Sequence, residues 1–227
     1  MSRTPLVVAI DGPSGSGKSS VARAVARQHG LAYLDTGAMY RALTWWCLDQ
    51  GIDMADLGAV AAAAEEFDLR MGTDPAAPSV AVGNVVLDEA VRTTGISESV
   101  SQVAINLDVR EVMRRRQRAL IEAGVRERGG IVAEGRDITT VVAPDADVRI
   151  LLVASEEARL RRRALEVHGE THQQAVSATH QQVVQRDRVD STVSSFLEAA
   201  EGVTVVDTSD LDLEESVQAV LAVVGSS

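Results

Sequence analysis

Apolar residues recur along the chain in two alternating rhythms. Five short continuous runs, at 6–10, 31–34, 131–134, 148–153 and 203–206, read as strands buried on both faces, as in a parallel sheet. Between them apolar positions return every three or four residues. That spacing predicts helices over 18–28, 38–49, 106–127, 155–167, 172–188 and 213–223. In the first of these Val21, Ala22, Val25 and Ala26 form the apolar stripe. Asp212 with Glu215 three residues on reads as a capping box for the last. Strands alternating with helices predict an α/β fold, a five-stranded parallel sheet covered on both faces.

Two stretches break this rhythm. Over 66–92, Asp68-Leu69-Arg70-Met71, Val80-Ala81-Val82 and Val85-Val86-Leu87 read as short antiparallel strands, with Gly83-Asn84 as a turn. They predict a small β insert outside the main sheet. Residues 168–198 are polar and rich in His and Gln, and contain Arg186-Asp187-Arg188-Val189-Asp190-Ser191. A polar helical segment between two strands has little core to bury, so it reads as a mobile flap.

Between the first strand and the first helix lies Gly12-Pro13-Ser14-Gly15-Ser16-Gly17-Lys18-Ser19, which fits G-x-x-x-x-G-K-[ST] at every fixed position. Lys18 is the only lysine; the other 21 of the 22 basic residues are arginine. Glycines let such a loop curl its N–H groups around phosphate oxygens, and the following helix points its positive end at the same place. The compact lysine ammonium suits so tight a loop, and the Ser19 hydroxyl suits Mg²⁺. The glycines at 12, 15 and 17 do not fit the dinucleotide fingerprint G-x-G-x-x-G. With a single lysine, no N-K-x-D guanine-reading motif exists.

The 227 residues suffice for one α/β domain with small inserted lobes, and 45% hydrophobic content is ample for its core. Cys47, beside Trp45 and Trp46, is the only cysteine; it excludes an internal disulfide and reads as a packed thiol. A net charge of −11 argues against nucleic acid as a partner, but not against nucleotides, which need only a local cluster of cations. No apolar run reaches membrane-spanning length, and the first strand begins too early for a signal peptide. The expectation is a soluble cytoplasmic protein, by default a monomer, with small-molecule partners and no membrane partner.

Ligands of parallel sheets bind beyond the carboxyl ends of the strands. Two arginines follow strands there: Arg41 in Asp35-Thr36-Gly37-Ala38-Met39-Tyr40-Arg41, and Arg136 in Glu134-Gly135-Arg136-Asp137. Arg110 opens a helix continuing Arg114-Arg115-Arg116-Gln117-Arg118, and a similar run spans Arg159-Leu160-Arg161-Arg162-Arg163. Most arginines of these runs are expected on solvated faces. Arg186, Arg188 and Asp190 lie in the flap, where arginine over phosphate sites would suit phosphoryl transfer. His168 and His172 are four apart, but Gly169 intervenes and no third ligand is near, so no metal site is read there.

Taken in order, Asp11-Gly12-Pro13-Ser14-Gly15-Ser16-Gly17-Lys18, Leu34-Asp35-Thr36-Gly37-Ala38-Met39-Tyr40-Arg41, Ser101-Gln102-Val103-Ala104, Val109-Arg110-Glu111, Gln117-Arg118 and Glu134-Gly135-Arg136-Asp137 closely resemble the bacterial cytidylate kinases. The resemblance runs over nearly the whole chain. It implies a P-loop NTPase three-layer sandwich with a β-containing monophosphate-binding lobe and a helical lid. The core would comprise 1–37, 105–165 and 199–227, the lobe 38–104 and the lid 166–198. The implied reaction moves the ATP γ-phosphoryl to CMP or dCMP, with Mg²⁺ carried as Mg-ATP near Ser19. Gly12, Pro13, Ser14, Gly15, Ser16, Gly17, Lys18, Ser19 and Ser20 would hold the ATP phosphates, with Arg162 on the ATP side. Thr36, Ser101, Arg110 and Asp137 would surround the cytosine. Arg41 and Arg136 would grip the CMP phosphate, and Arg186 and Asp190 would close on it, Asp190 near the ribose. Lys18, Arg136 and Arg186 would be the catalytic cations.

The chain departs from the family pattern twice. Thr139 stands where many members have Gly, implying a less free backbone. Val193 stands where many carry Arg, so one flap contact is missing or is supplied by Arg188. The nearest alternative is another P-loop small-molecule kinase of shikimate type, which lacks the β insert.

Overall fold

The computed structural model describes residues 4–168, 184 and 187–226. Five strands build the main sheet: β1 Leu6–Asp11, β2 Ala32–Asp35, β6 Gly130–Gly135, β7 Val148–Val153 and β8 Thr204–Asp207. All pair in parallel, in the order β2-β6-β1-β7-β8. Alternate side chains of β1, β2 and β6 enter different cores. Ala9, Leu34, Ile131 and Ala133 join one, with α2 Thr36–Asp49, α3 Leu57–Glu66 and α5 Leu107–Arg128. Val8, Ile10, Val132, Ile150 and Leu152 join the other, with α1 Lys18–His29 and α7 Leu213–Gly225. Burial on both faces is why β1, β2, β6 and β7 read as unbroken apolar runs.

The helix ends follow side-chain chemistry. Asp35 caps α2 by accepting from Ala38 N at 2.8 Å. Asp212 and Glu215 form the expected reciprocal box at the start of α7, both bonds at 2.9 Å. Trp45 and Trp46 sit half-buried on α2 against the first core, and Cys47 is fully buried there, as expected.

The predicted insert is a separate three-stranded antiparallel sheet of β3 Leu69–Gly72, β4 Ser79–Val82 and β5 Val85–Val86. Gly83 turns the β4–β5 hairpin with φ of 57°, which glycine adopts freely. Val80, Val82 and Leu87 sink into the core, while Arg27 of α1 donates to Pro75 O at 2.9 Å. Two helices escaped the sequence reading, α3 and α4 Thr94–Ala104. The arginine helix α6 spans Glu156–His168. Most of the predicted helix over 172–188 lies outside the described residues, as do Arg186 and His172 and the side chain of His168.

Candidate active site

Strand register sets the site. Asp11 lies level with Gly135, and Asp35 level with Glu134, so β1, β2 and β6 end at one edge of the sheet. A cleft of about 600 Å³ opens there, lined by Ser14, Gly15, Gly17, Lys18, Ser19 and Ser20. Thr36, Arg41, Arg110, Arg136, Asp137, Arg162 and Asp190 line the same cleft. Gly12, Pro13, Ser16 and Ser101 do not line it.

The loop needs its glycines. Gly15 and Gly17 have φ of 78° and 89°. A Cβ on Gly12 would lie 2.3 Å from Leu152 O, and one on Gly15 2.6 Å from Arg159 O. Lys18 Nζ donates to Pro13 O at 3.2 Å, folding the lysine over the loop. The Ser16 hydroxyl is buried and meets no partner among the described residues. Arg162 braces the loop from outside, donating to Ser16 O at 3.3 Å and Leu211 O at 3.0 Å.

A group missed by the sequence reading lies beneath the loop. Glu134 is 2% exposed and accepts from Tyr33 Oη at 2.9 Å. Burial pushes its carboxyl pKa up and nearby Asp35 pushes the same way; Lys18, then the Ser19 and Tyr33 hydrogen bonds, oppose them. Thr36 Oγ1 donates to Glu134 O at 2.7 Å. Oxygen donors from Ser19, Glu134 and Asp35 are the set a hard cation such as Mg²⁺ prefers.

Two carboxylate–arginine groups adjoin the loop and the cleft. Arg110 donates to Asp137 Oδ2 at 2.6 Å and to Ala104 O at 3.2 Å. Burial raises the Asp137 pKa, with Arg110 and then Arg114 opposing. Arg41 is drawn back onto Asp35 at 2.9 Å, while its buried Nε meets no partner among the described residues.

The second group gathers flap residues. Asp187 accepts from Arg136 Nη1 at 2.7 Å, from Ser14 N at 3.1 Å, and from Arg159. Asp190 accepts from Arg136 Nε at 3.1 Å and from Ser101 Oγ at 2.8 Å. The Arg136 guanidinium also lies 4.3 Å from the Phe196 ring centroid. Asp187 and Arg159 are the other residues that the sequence reading passed over.

The expectation of solvated arginines holds for Arg115, Arg118 and Arg161, which are exposed, and needs correction for Arg159 and Arg162. Arg159 and Arg162 lie on one face of α6 and reach the phosphate loop, donating to Ser14 O and Ser16 O at 3.1 and 3.3 Å. Arg118 donates to Val142 O and Val141 O at 2.9 and 2.7 Å. Arg116 closes the end of α3 through Phe67 O at 3.0 Å. Arg161 is the solvated kind, with Glu157 4.0 Å away. Arg188 is exposed and does not line the cleft. Thr139 does not strain the backbone either, since no described non-glycine residue has positive φ.

A glycine-rich phosphate loop on a parallel sheet, sharing one cleft with Arg41, Arg110 and Arg136, defines a P-loop phosphotransferase. The cytidylate kinase family model matches residues 8–226. The cytidylate kinase of Streptomyces griseus is 44% identical over 98% of this chain and 94% of its own length. That of Streptomyces coelicolor is 46% identical over 96% of this chain and 92% of its own. The chain belongs to the cytidylate kinase family. An uncharacterized protein from Eubacterium ventriosum shares the fold, with TM-score 0.52 at 11% identity over 98% of this chain and 99% of that one.

Proposed function

We propose that this chain transfers the γ-phosphoryl of ATP to CMP or dCMP, giving ADP and CDP or dCDP. The observation that carries the reading is the Arg110–Asp137 pair at 2.6 Å, sharing one cleft with the phosphate loop. Cytosine presents an exocyclic amine as donor and a ring nitrogen and carbonyl as acceptors. A carboxylate beside a guanidinium answers both. Uracil would set a carbonyl against the carboxylate, which disfavours UMP.

The loop from Gly12 to Ser20 then cradles the ATP phosphates, with Lys18 on the transferring group and Arg162 on the ATP side. Arg41 and Arg136 hold the CMP phosphate, with Thr36 and Ser101 near the base. Asp190 and Arg186 close from the flap. Ser19, with Glu134 beside it, would hold Mg²⁺ brought with ATP, and the ion would supply positive charge to offset the phosphates. In this reading 1–37, 105–165 and 199–227 form the core, 38–104 the acceptor lobe and 166–198 the lid.

The test is ADP release coupled to NADH oxidation, with CMP, dCMP, UMP, AMP and shikimate offered in parallel. CMP and dCMP should be strongly preferred, and folded Lys18→Ala should lose activity by orders of magnitude. Preference for shikimate, or a Lys18→Ala protein with near-normal turnover, refutes the reading.

A further inference from the structure

After Gly135 the chain enters one π-helical turn, Ile138–Val142, with Asp137 at its N-cap position. Aspartate at an N-cap ordinarily turns back and accepts from the second or third N–H of its own helix. Asp137 makes no such bond. Its carboxylate faces Arg110 in the cleft instead. The capping is done from another strand. Asp11 Oδ1 accepts from Ile138 N at 2.9 Å, and Oδ2 from Thr139 N at 2.8 Å and Thr139 Oγ1 at 2.6 Å. Asp11 is 1% exposed, the last residue of β1, and the next residue opens the phosphate loop.

We propose that Asp11 is a positioning residue for base recognition, whose capping of the turn frees the Asp137 carboxylate to face the base. The inference rests on the assignment of Asp137 as the reader of cytosine. All three of these hydrogen bonds go from the turn to the Asp11 carboxylate. The far end of the turn is held independently by Arg118, through Val141 O and Val142 O. Asp137 directly precedes the first anchored residue, Ile138, so its backbone is fixed relative to β1. The hydroxyl of Thr139, at the position where glycine was expected, supplies the shortest of the three bonds to Asp11.

Without the Asp11 carboxylate, the N–H of Thr139 needs another acceptor. Asp137 is the nearest in sequence and is already at the N-cap. Its carboxylate then turns away from Arg110 and from the base. Asparagine at position 11 has one acceptor oxygen, and its amide would oppose a donor.

The experiment measures kcat and KM for CMP and UMP in the full chain carrying Asp11→Asn, Asp137→Ala, both together, Thr139→Val or Thr139→Ser. Asp11→Asn should lower the CMP-over-UMP ratio of kcat/KM roughly tenfold, the equivalent of one lost bond to a charged group. The loss should fall on KM for CMP, with KM for ATP little changed. In the Asp137→Ala background Asp11→Asn should lower the ratio no further, because Asp11 acts through Asp137. Thr139→Val should lower the ratio in part, and Thr139→Ser should restore it. A ratio unchanged by Asp11→Asn while Asp137→Ala lowers it overturns the inference and leaves the base reader standing. A ratio unchanged by Asp137→Ala overturns the base-reading assignment itself, and the inference with it. If Asp11→Asn is recovered unfolded, the two Thr139 variants decide: equal ratios overturn the inference, and loss with valine but not serine supports it.

Discussion

Replacing Asp187 with alanine removes the carboxylate that joins Arg136, Arg159 and Ser14 N. The side chains of Asp187, Arg136 and Arg159 are 7%, 14% and 11% exposed, so water cannot fully take over its role. Removing one partner from a buried ion pair costs about 3–5 kcal/mol, mostly because the remaining charge is uncompensated. Arg136 keeps Asp190 at 3.1 Å, which puts the expected loss near the lower end, about 3 kcal/mol. Asp187→Asn keeps the size and one acceptor and should lose less. The assay is urea unfolding with the denaturant slope compared between proteins. Inorganic phosphate supplies a second arm. The hole left by alanine is flanked by two guanidiniums and an N–H, a natural anion site. Phosphate at about a hundred times its dissociation constant would return about 2.7 kcal/mol. The return should therefore be larger in the variant than in the wild type. A loss below about 1 kcal/mol, or an equal phosphate effect in both proteins, shows that Asp187 does not compensate these arginines.

Asp137→Ala should lower the CMP-over-UMP ratio of catalytic efficiency roughly 10- to 150-fold, while Arg41→Ala should weaken both substrates alike; equal losses on CMP and UMP with Asp137→Ala would show that the carboxylate does not read the base. Burial first, with Asp137 adding to it, raises the Asp11 pKa from 3.8 to about 6 against its three hydrogen bonds. The folded state therefore holds that proton more tightly than the unfolded chain, and stability from this group is lost as pH rises through about 6. From about pH 5 to about pH 8 the wild type should lose about 1 kcal/mol relative to Asp11→Asn in urea midpoints, and a difference of opposite slope refutes the raised value. Gly12→Ala forces a Cβ to 2.3 Å from a strand carbonyl, so Tm should fall and phosphate-loop function should fail together; a stable variant with normal ATP KM contradicts the geometry.

The main sheet was legible because β1, β2, β6 and β7 are buried on both faces and need unbroken apolar runs; the edge strand β8 buries only Val206. The helix α4 was not, because Thr94, Gly95 and serines at 97, 99 and 101 are poor helix formers. Ile96, Val100 and Val103 nonetheless recur at helical spacing and are buried. Asp56, which caps α3 through Ala59 N at 3.0 Å, was an available signal for that helix. In the site, the phosphate loop and the residues after β2 and β6 were readable from motif and strand order. Arg159 was not, since a run of arginines looks solvated until α6 is docked and positions 159 and 162 face the loop. Asp11 looked like part of a motif, and only the fold brings it to Ile138 and Thr139, 127 and 128 residues away.

The chain has two tryptophans, and both lie on α2, which carries Arg41 in the cleft wall. Trp45 is one helical turn from Arg41, on the same side of the helix. Half-buried indoles change their emission when their surroundings shift. An unlabelled sample, excited where tyrosine barely absorbs, therefore reports from this one helix alone. Titrating CMP against that signal would follow the acceptor pocket without interference from another fluorophore, and stopped-flow mixing would time its response separately from the chemical step.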